Sequence, residues 1–172
     1  MSDDHLIEHR VHQEELLRGR FLHAFRDTVR LPNQNLATRE YVVHPGAVMV
    51  IPMLDTPEGL RLVMERQFRY PVGQVMTEFP AGKLDPGEDP WLCAQRELQE
   101  ETALDAEQML YLMELRSGST QHHVYEASVL DLEQLRPQNE IIECIWHPLD
   151  AVQNLPTSDA TLRIVQAYQR RL

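Results

Sequence analysis

Glu97, Glu100 and Glu101 are the residues whose types and spacing could do chemistry. They belong to the run Arg96-Glu97-Leu98-Gln99-Glu100-Glu101-Thr102-Ala103-Leu104, which follows a glycine-bounded stretch, Gly82-Lys83-Leu84-Asp85-Pro86-Gly87-Glu88. Asp89 and Pro90 are residue types favoured at the cap and first turn of a helix, so a helix is predicted over residues 90–102. On that helix the three glutamates stand at i, i+3 and i+4 and share one face. Each like-charge pair costs an isolated helix roughly a few tenths of a kcal/mol. A cation over the face removes the penalty, and a hard divalent metal, which prefers oxygen ligands, is the natural candidate. The bland alternative is a solvated acidic helix, the usual explanation of a glutamate-rich run.

The elements that must position this helix can be read from the apolar pattern. Residues 8–17 and 21–30 flank Gly19, and Phe21, His23, Phe25, Asp27 and Val29 alternate with their neighbours, so a hairpin is predicted. Glu14-Glu15-Leu16-Leu17 could equally be helical from propensity. Residues 37–44 read as a further strand, stopped by Pro45-Gly46. The continuous apolar run over residues 47–54 predicts a strand buried on both faces. Residues 60–68 would be its hairpin partner, delivering Arg66, Gln67 and Arg69, and Thr77-Glu78-Phe79-Pro80 would feed the glycine-bounded loop. Strands are also predicted over residues 109–115, 122–130 and 141–146, with a polar loop over residues 131–139. An amphipathic helix over residues 158–172 carries Leu162, Val165, Ala167, Tyr168 and Leu172 and is capped by Ser158 or Asp159. The fold class is α/β, a mixed sheet with the carboxylate helix on one face and the terminal helix on the other. An internal boundary near residues 43–47 separates a β-rich N-terminal part, residues 1–45, from a main body, residues 46–172.

Composition narrows the function. With 16 Lys and Arg against 27 Asp and Glu, the formal charge of −11 argues against a broad nucleic-acid or anionic-membrane surface. Cys93 and Cys144 are the only cysteines and no apolar run reaches ~18 residues, so neither a disulfide framework nor a membrane span is expected. Met1-Ser2-Asp3-Asp4-His5 lacks the plan of a signal peptide, and a cytoplasmic location is expected. His5, His9 and His12 stand at i, i+4 and i+7, a zinc face if helical and scattered histidines of an acidic tail if not.

Gly82, five residues, Glu88, seven residues and then the run from Arg96 to Leu104 resemble the Nudix box. One position departs: the family usually has glycine where this chain has Ala103, at the predicted helix end. Glycine is favoured there because the left-handed conformation costs other residues about 1 kcal/mol or more. Glu78-Phe79-Pro80-Ala81 is similar to the entry to the box in the branch that cleaves ADP-ribose and nucleoside diphosphate sugars. Phe21, Asp27-Thr28-Val29-Arg30-Leu31-Pro32, Arg39-Glu40-Tyr41, His44-Pro45-Gly46-Ala47 and Arg66-Gln67-Phe68-Arg69 resemble that branch in order.

The resemblance implies a Nudix fold, an α/β/α sandwich with a small N-terminal antiparallel extension that serves dimerisation and substrate binding. It implies a Mg2+-dependent pyrophosphatase, with Mn2+ as a substitute, that splits ADP-ribose, GDP-mannose or a similar nucleoside diphosphate sugar into a nucleoside monophosphate and a sugar phosphate. Glu97 and Glu101 would be the principal ligands, with Glu100 supporting a further ion and the Ala81 backbone carbonyl as another donor. Glu100 and Arg96 belong to the catalytic set the resemblance implies, Arg96 bracing the loop through Glu88. In the late segment Gln138-Asn139-Glu140-Ile141-Ile142-Glu143, Glu140 is the candidate general base, a loop glutamate without a role is the alternative, and Glu143 and Glu126 are fallbacks. Arg39, Glu40, Arg66 and Arg69 are the candidate substrate-binding residues, because guanidinium forks pair with diphosphate oxygens. Taken singly, each arginine is more often a surface residue. Tyr41, Phe68 or Tyr70 could stack on a base, or pack as core aromatics.

ADP-ribose enzymes of the family typically carry a proline about sixteen residues beyond the box, in a segment that corresponds here to Ser117-Gly118-Ser119-Thr120, which weighs against ADP-ribose itself. His122 and His123 occupy the place where hydrolases of dinucleoside polyphosphates have a tyrosine. Two rivals remain: a non-catalytic module that senses a nucleotide sugar, which would ordinarily have lost box carboxylates, and an isoprenoid diphosphate isomerase, which would need a pocket cysteine. A homodimer is expected from the likeness of the N-terminal part to a subunit-swapping element.

Overall fold

The computed structural model describes residues 3–20, 22–130 and 133–170, so Phe21 and Leu172 lie outside the described residues. The chain divides into two compact units, Met1–His44 and Pro45–Leu172.

The first unit is an antiparallel sheet of β1 (His9–Arg18), β2 (His23–Arg30) and β3 (Leu36–Val43), in that order. Gly19 N–H donates to Leu22 O at 2.8 Å and closes the first hairpin. Glu14-Glu15-Leu16-Leu17 is strand rather than helix. Tertiary pairing overrides its propensity, because Glu15 lies opposite Phe25 and its carboxylate pairs with His23 Nε2 at 2.7 Å across the strands. The zinc-face alternative fails for the same reason: His5 sits in a short 3-10 turn, Asp4–Leu6, whereas His9 and His12 lie on β1.

The second unit is built on β4 (Ala47–Thr56), whose alternation serves two cores at once. Val48 and Val50 pack with Cys93, Ala94 and Leu98 of α1 (Pro90–Thr102). Met49, Ile51 and Met53 pack with Ile164, Val165 and Tyr168 of α2 (Asp159–Gln169). A strand with both faces covered must be apolar where it is covered, as this one is over residues 47–54. The carboxylate helix and the terminal helix thus lie on opposite faces of the sheet, as the sequence predicts. Around β4 stand β5 (Gly59–Arg69), β6 (Gln74–Glu78), β7 (Ala81–Lys83), β8 (Gln108–Ser117), β9 (Thr120–Ser128) and β10 (Glu143–Pro148). The path through the sheet is β10-β5-β4-β9-β8, and it is mixed because β4 runs parallel to β9.

One irregularity sets up the site. β4 and β5 pair only from Met53–Leu62 to Thr56–Gly59; beyond that they part, β7 taking Ala47 to Met49 of β4 and β6 taking Glu65 to Arg69 of β5. Phe79, almost fully buried, and Pro80, whose carbonyl accepts from Val50 N–H at 2.9 Å, link the two inserted strands. The split therefore delivers Ala81 and Gly82 to the side of the sheet under α1.

Asp89 caps α1 by accepting from Trp91 N–H at 2.8 Å, and Ser158 caps α2 by accepting from Thr161 N–H at 3.2 Å. Ala103 adopts the left-handed conformation, φ 59°, and its N–H bonds Gln99 O. The departure from glycine is accommodated with the backbone that glycine would have had. Strand β10 begins at Glu143, two residues later than the apolar run suggests, because Ile141 N–H is spent on a turn, donating to Gln138 O at 3.0 Å. Among the described residues no helix is long and apolar enough to cross a membrane.

Candidate active site

The loop and the first part of α1 lock together through Gly82 and Arg96. A Cβ on Gly82 would fall 1.8 Å from the Glu97 carboxyl carbon, so only glycine lets that carboxylate lie against the loop backbone. Arg96 forks onto Glu88, with Nε to Oε1 and Nη2 to Oε2 both at 2.9 Å, and Glu88 also accepts from Asp85 N–H at 2.9 Å. These donors hold the Glu88 carboxyl at about 2, well below its ordinary range. From the same guanidinium, Nη1 reaches Glu97 Oε1 at 2.7 Å and Glu100 Oε2 at 3.3 Å. Part of the like-charge crowding on the helix is thus relieved by the helix's own arginine. Glu101 is treated differently: its Oε2 accepts from Ala81 N–H at 2.9 Å, and burial raises its proton affinity.

Strand alternation sorts the residues of β5. Glu65, Gln67 and Arg69 share the α1 side, and Arg66 points to the other. Arg69 Nε donates to Glu78 Oε2 at 2.7 Å, and Gln67 Nε2 donates to Glu140 Oε2 at 2.9 Å. Arg66 instead pairs with Glu143 of β10 at 2.8 Å. Glu65 is 1% exposed and faces Glu101. Burial and the Glu101 charge raise its proton affinity strongly; the deeper of the two, it holds a proton first.

The candidate base is tied in by backbone accounting. The last carbonyls of a helix have no partner inside it. Here Gln99 O accepts from Ala103 N–H at 2.9 Å, Glu100 O from Asn139 Nδ2 at 2.9 Å, Glu101 O from Gln138 N–H at 3.2 Å, and Thr102 O from Arg136 N–H at 3.0 Å. The late loop is therefore the C-terminal cap of the carboxylate helix. That fastening and the Gln67 bond bring Glu140 to the end of α1. The fallback Glu126 is on β9 opposite Ile51, on the α2 face, where it meets Tyr168.

The structure thus assembles Ala81, Arg96, Glu97, Glu100 and Glu101, and brings Arg69 and Glu140 to the same face. Arg66 is on the other face of β5. Arg39 and Glu40 lie on β3 of the first unit, where Arg39 Nε bonds Glu8 at 3.0 Å and Glu40 bonds Arg26 Nε at 2.8 Å. Sequence reasoning overlooked Glu65 and the bracing role of Gln67. The signal for Glu65 was its place at the end of Leu62-Val63-Met64, a run too apolar to leave its next inward neighbour in water.

Among the described residues no three His, Cys, Asp or Glu side chains converge into a preformed metal cluster. The donor set nevertheless suits a hard divalent ion. Glu97 and Glu101 are buried or nearly so on successive turns, the Ala81 peptide lies against Glu101, and Glu65 is buried with neither oxygen bonded to a donor.

The NUDIX domain model matches residues 43–168. The ADP-ribose pyrophosphatase of Bacillus subtilis (strain 168) is 33% identical over 170 residues, 95% of this chain and 90% of that protein. The methanol dehydrogenase activator of Bacillus methanolicus is 44% identical over 106 residues, 62% of this chain and 56% of that protein. The crystal structure of an ADP compounds hydrolase superposes with a TM-score of 0.76 at 16% identity, covering 96% of this chain and 94% of that one, a likeness of fold. With the box residues assembled on this fold and the family model spanning most of its length, the chain belongs to the Nudix family.

Proposed function

We propose that this Nudix pyrophosphatase hydrolyses the diphosphate bond of a nucleoside diphosphate sugar to a nucleoside monophosphate and a sugar phosphate, working in the cytoplasm as a homodimer. The observation that carries the reading is the retention of every box carboxylate, with Glu97 and Glu101 drawn into the loop by Gly82 and the Ala81 N–H. The name of the Bacillus subtilis relative makes ADP-ribose the first substrate to test, against the missing proline in residues 117–120. GDP-mannose and other nucleotide sugars follow it.

Glu97, Glu101 and the Ala81 carbonyl would hold Mg2+ or Mn2+, with Glu100 in support; the ion supplies neutralisation of the diphosphate and an acidified water. Glu140 takes the proton of the attacking water as its oxygen bonds to one phosphorus. The phosphorus–oxygen bond of the anhydride breaks, and the leaving phosphate keeps the electron pair. A base in this position contributes about 10²–10⁴-fold. Arg69, on the α1 face of β5, is the arginine best placed to orient phosphate oxygens, exchanging Glu78 for substrate. Arg66, Arg39 and Glu40 are assigned to substrate through the family resemblance, and Arg96 keeps the loop and the carboxylates in register.

Phosphatase-coupled phosphate release tests the reading on ADP-ribose, GDP-mannose, UDP-sugars, NADH and diadenosine polyphosphates, with and without Mg2+. Metal-dependent release from a nucleotide sugar is expected. Binding without turnover on the whole panel would overturn it in favour of the sensing module.

A further inference from the structure

The carboxylates around the α1 loop are unequally compensated. Glu88, Glu97 and Glu100 all answer to Arg96, and Glu78 answers to Arg69. Glu65 and Glu101 are left without an ion-pair partner among the described residues, although they are the two that face one another. Glu65 is 1% exposed, and neither of its oxygens meets a donor. Its cross-strand neighbours do not help, because Glu78 on β6 is itself an acid and Cys144 on β10 directs its thiol toward Glu101 O. Two buried acids facing one another are compensated by a shared proton or by a cation, and a divalent cation meets both carboxylates at once.

We propose that Glu65 is a further carboxylate of the divalent-cation site, backing Glu101 from strand β5. This rests on the metal-site reading of the box and adds a residue from outside it. The negative charge that holds the ion then comes from two elements, the helix and the strand that parts from β4, so that the split in the sheet is itself a component of the site. The box arginine leaves this deep pair alone, and the ion's charge is met most fully there.

Direct Mn2+ titration, by calorimetry and by loss of the free-ion paramagnetic signal, tests the assignment on the full chain without substrate. Glu65→Gln keeps shape and removes the charge. Mn2+ affinity is expected to fall roughly 10–100-fold, the range seen when supporting groups of metal sites are removed. The thermal midpoint in chelator should not fall, since no paired charge is lost. Glu101→Gln serves as the control. If Glu101→Gln weakens Mn2+ binding and Glu65→Gln binds as wild type, the inference is overturned and the box reading stands. If both bind as wild type, the box reading itself fails and takes the inference with it. Should Glu65→Gln not fold, Glu65→Met, apolar and of similar length, provides the same comparison.

Discussion

Glu101 and Glu88 lie one helix apart in function as well as in place. Glu101 keeps one oxygen on the Ala81 N–H and among the described residues forms no salt bridge, so Glu101→Gln retains the acceptor and removes the charge. Turnover is expected to vanish while the thermal midpoint stays at or slightly above that of the wild type, read by calorimetry in chelator; a large drop would make the residue structural instead. Glu88 is the reverse case, with its proton affinity lowered by the Arg96 fork from 4.5 to about 2. A depressed carboxyl contributes stability above its unfolded value and loses it as pH falls from about 4.5 toward 2. Urea midpoints measured down that range should fall less in Glu88→Gln than in the wild type. Glu140→Gln should lower kcat about 10²–10⁴-fold with an unchanged midpoint, because the side chain is exposed and among the described residues its one hydrogen bond is from Gln67.

At the scale of elements, the box is a loop and a helix fitted by one missing methyl and one strained residue. Gly82→Ala would put its Cβ into the Glu97 carboxylate. That side chain must swing away from Arg96, and Mn2+ titration should show weaker binding with only a small change in urea midpoint. The strained residue is Ala103, at φ 59°. A left-handed residue costs roughly 1–2 kcal/mol, of which glycine returns a part through its freer unfolded chain. Ala103→Gly is expected to stabilise the protein by about 0.5–1 kcal/mol in urea unfolding. The late loop completes the helix end by bonding its free carbonyls, so Glu140, the proposed base, and the proposed ligands Glu97 and Glu101 are carried by one fastened unit.

For the whole molecule, the N-terminal sheet shows what a three-stranded sheet alone cannot do. β1 is exposed along its whole length, and Val11, Leu17, Leu36, Val42 and Val43 are all at least 41% exposed. A sheet with so little covered apolar surface suits a partner, and the proposed homodimer would supply one. Light scattering at micromolar concentration should give twice the 20.0 kDa chain mass; a clean monomer would count against it.

The sequence by itself determined the local matters. Asp89 and Pro90 started α1, the carboxylates fell on one face, the apolar run of β4 demanded two covered faces, and glycine-bounded spacing marked the loop. All of these depend on neighbours within a few residues, where helical and strand periods and capping hydrogen bonds act. Only the tertiary structure decided which partner each charge would have. Arg66 and Arg69 are three residues apart and diverge by strand alternation, Glu65 meets Glu101 only because β4 and β5 separate, and residues 136–140 reach α1 because its carbonyls needed donors. Register, sheet splitting and the search of buried polar groups for partners are settled by long-range packing, which no local pattern records.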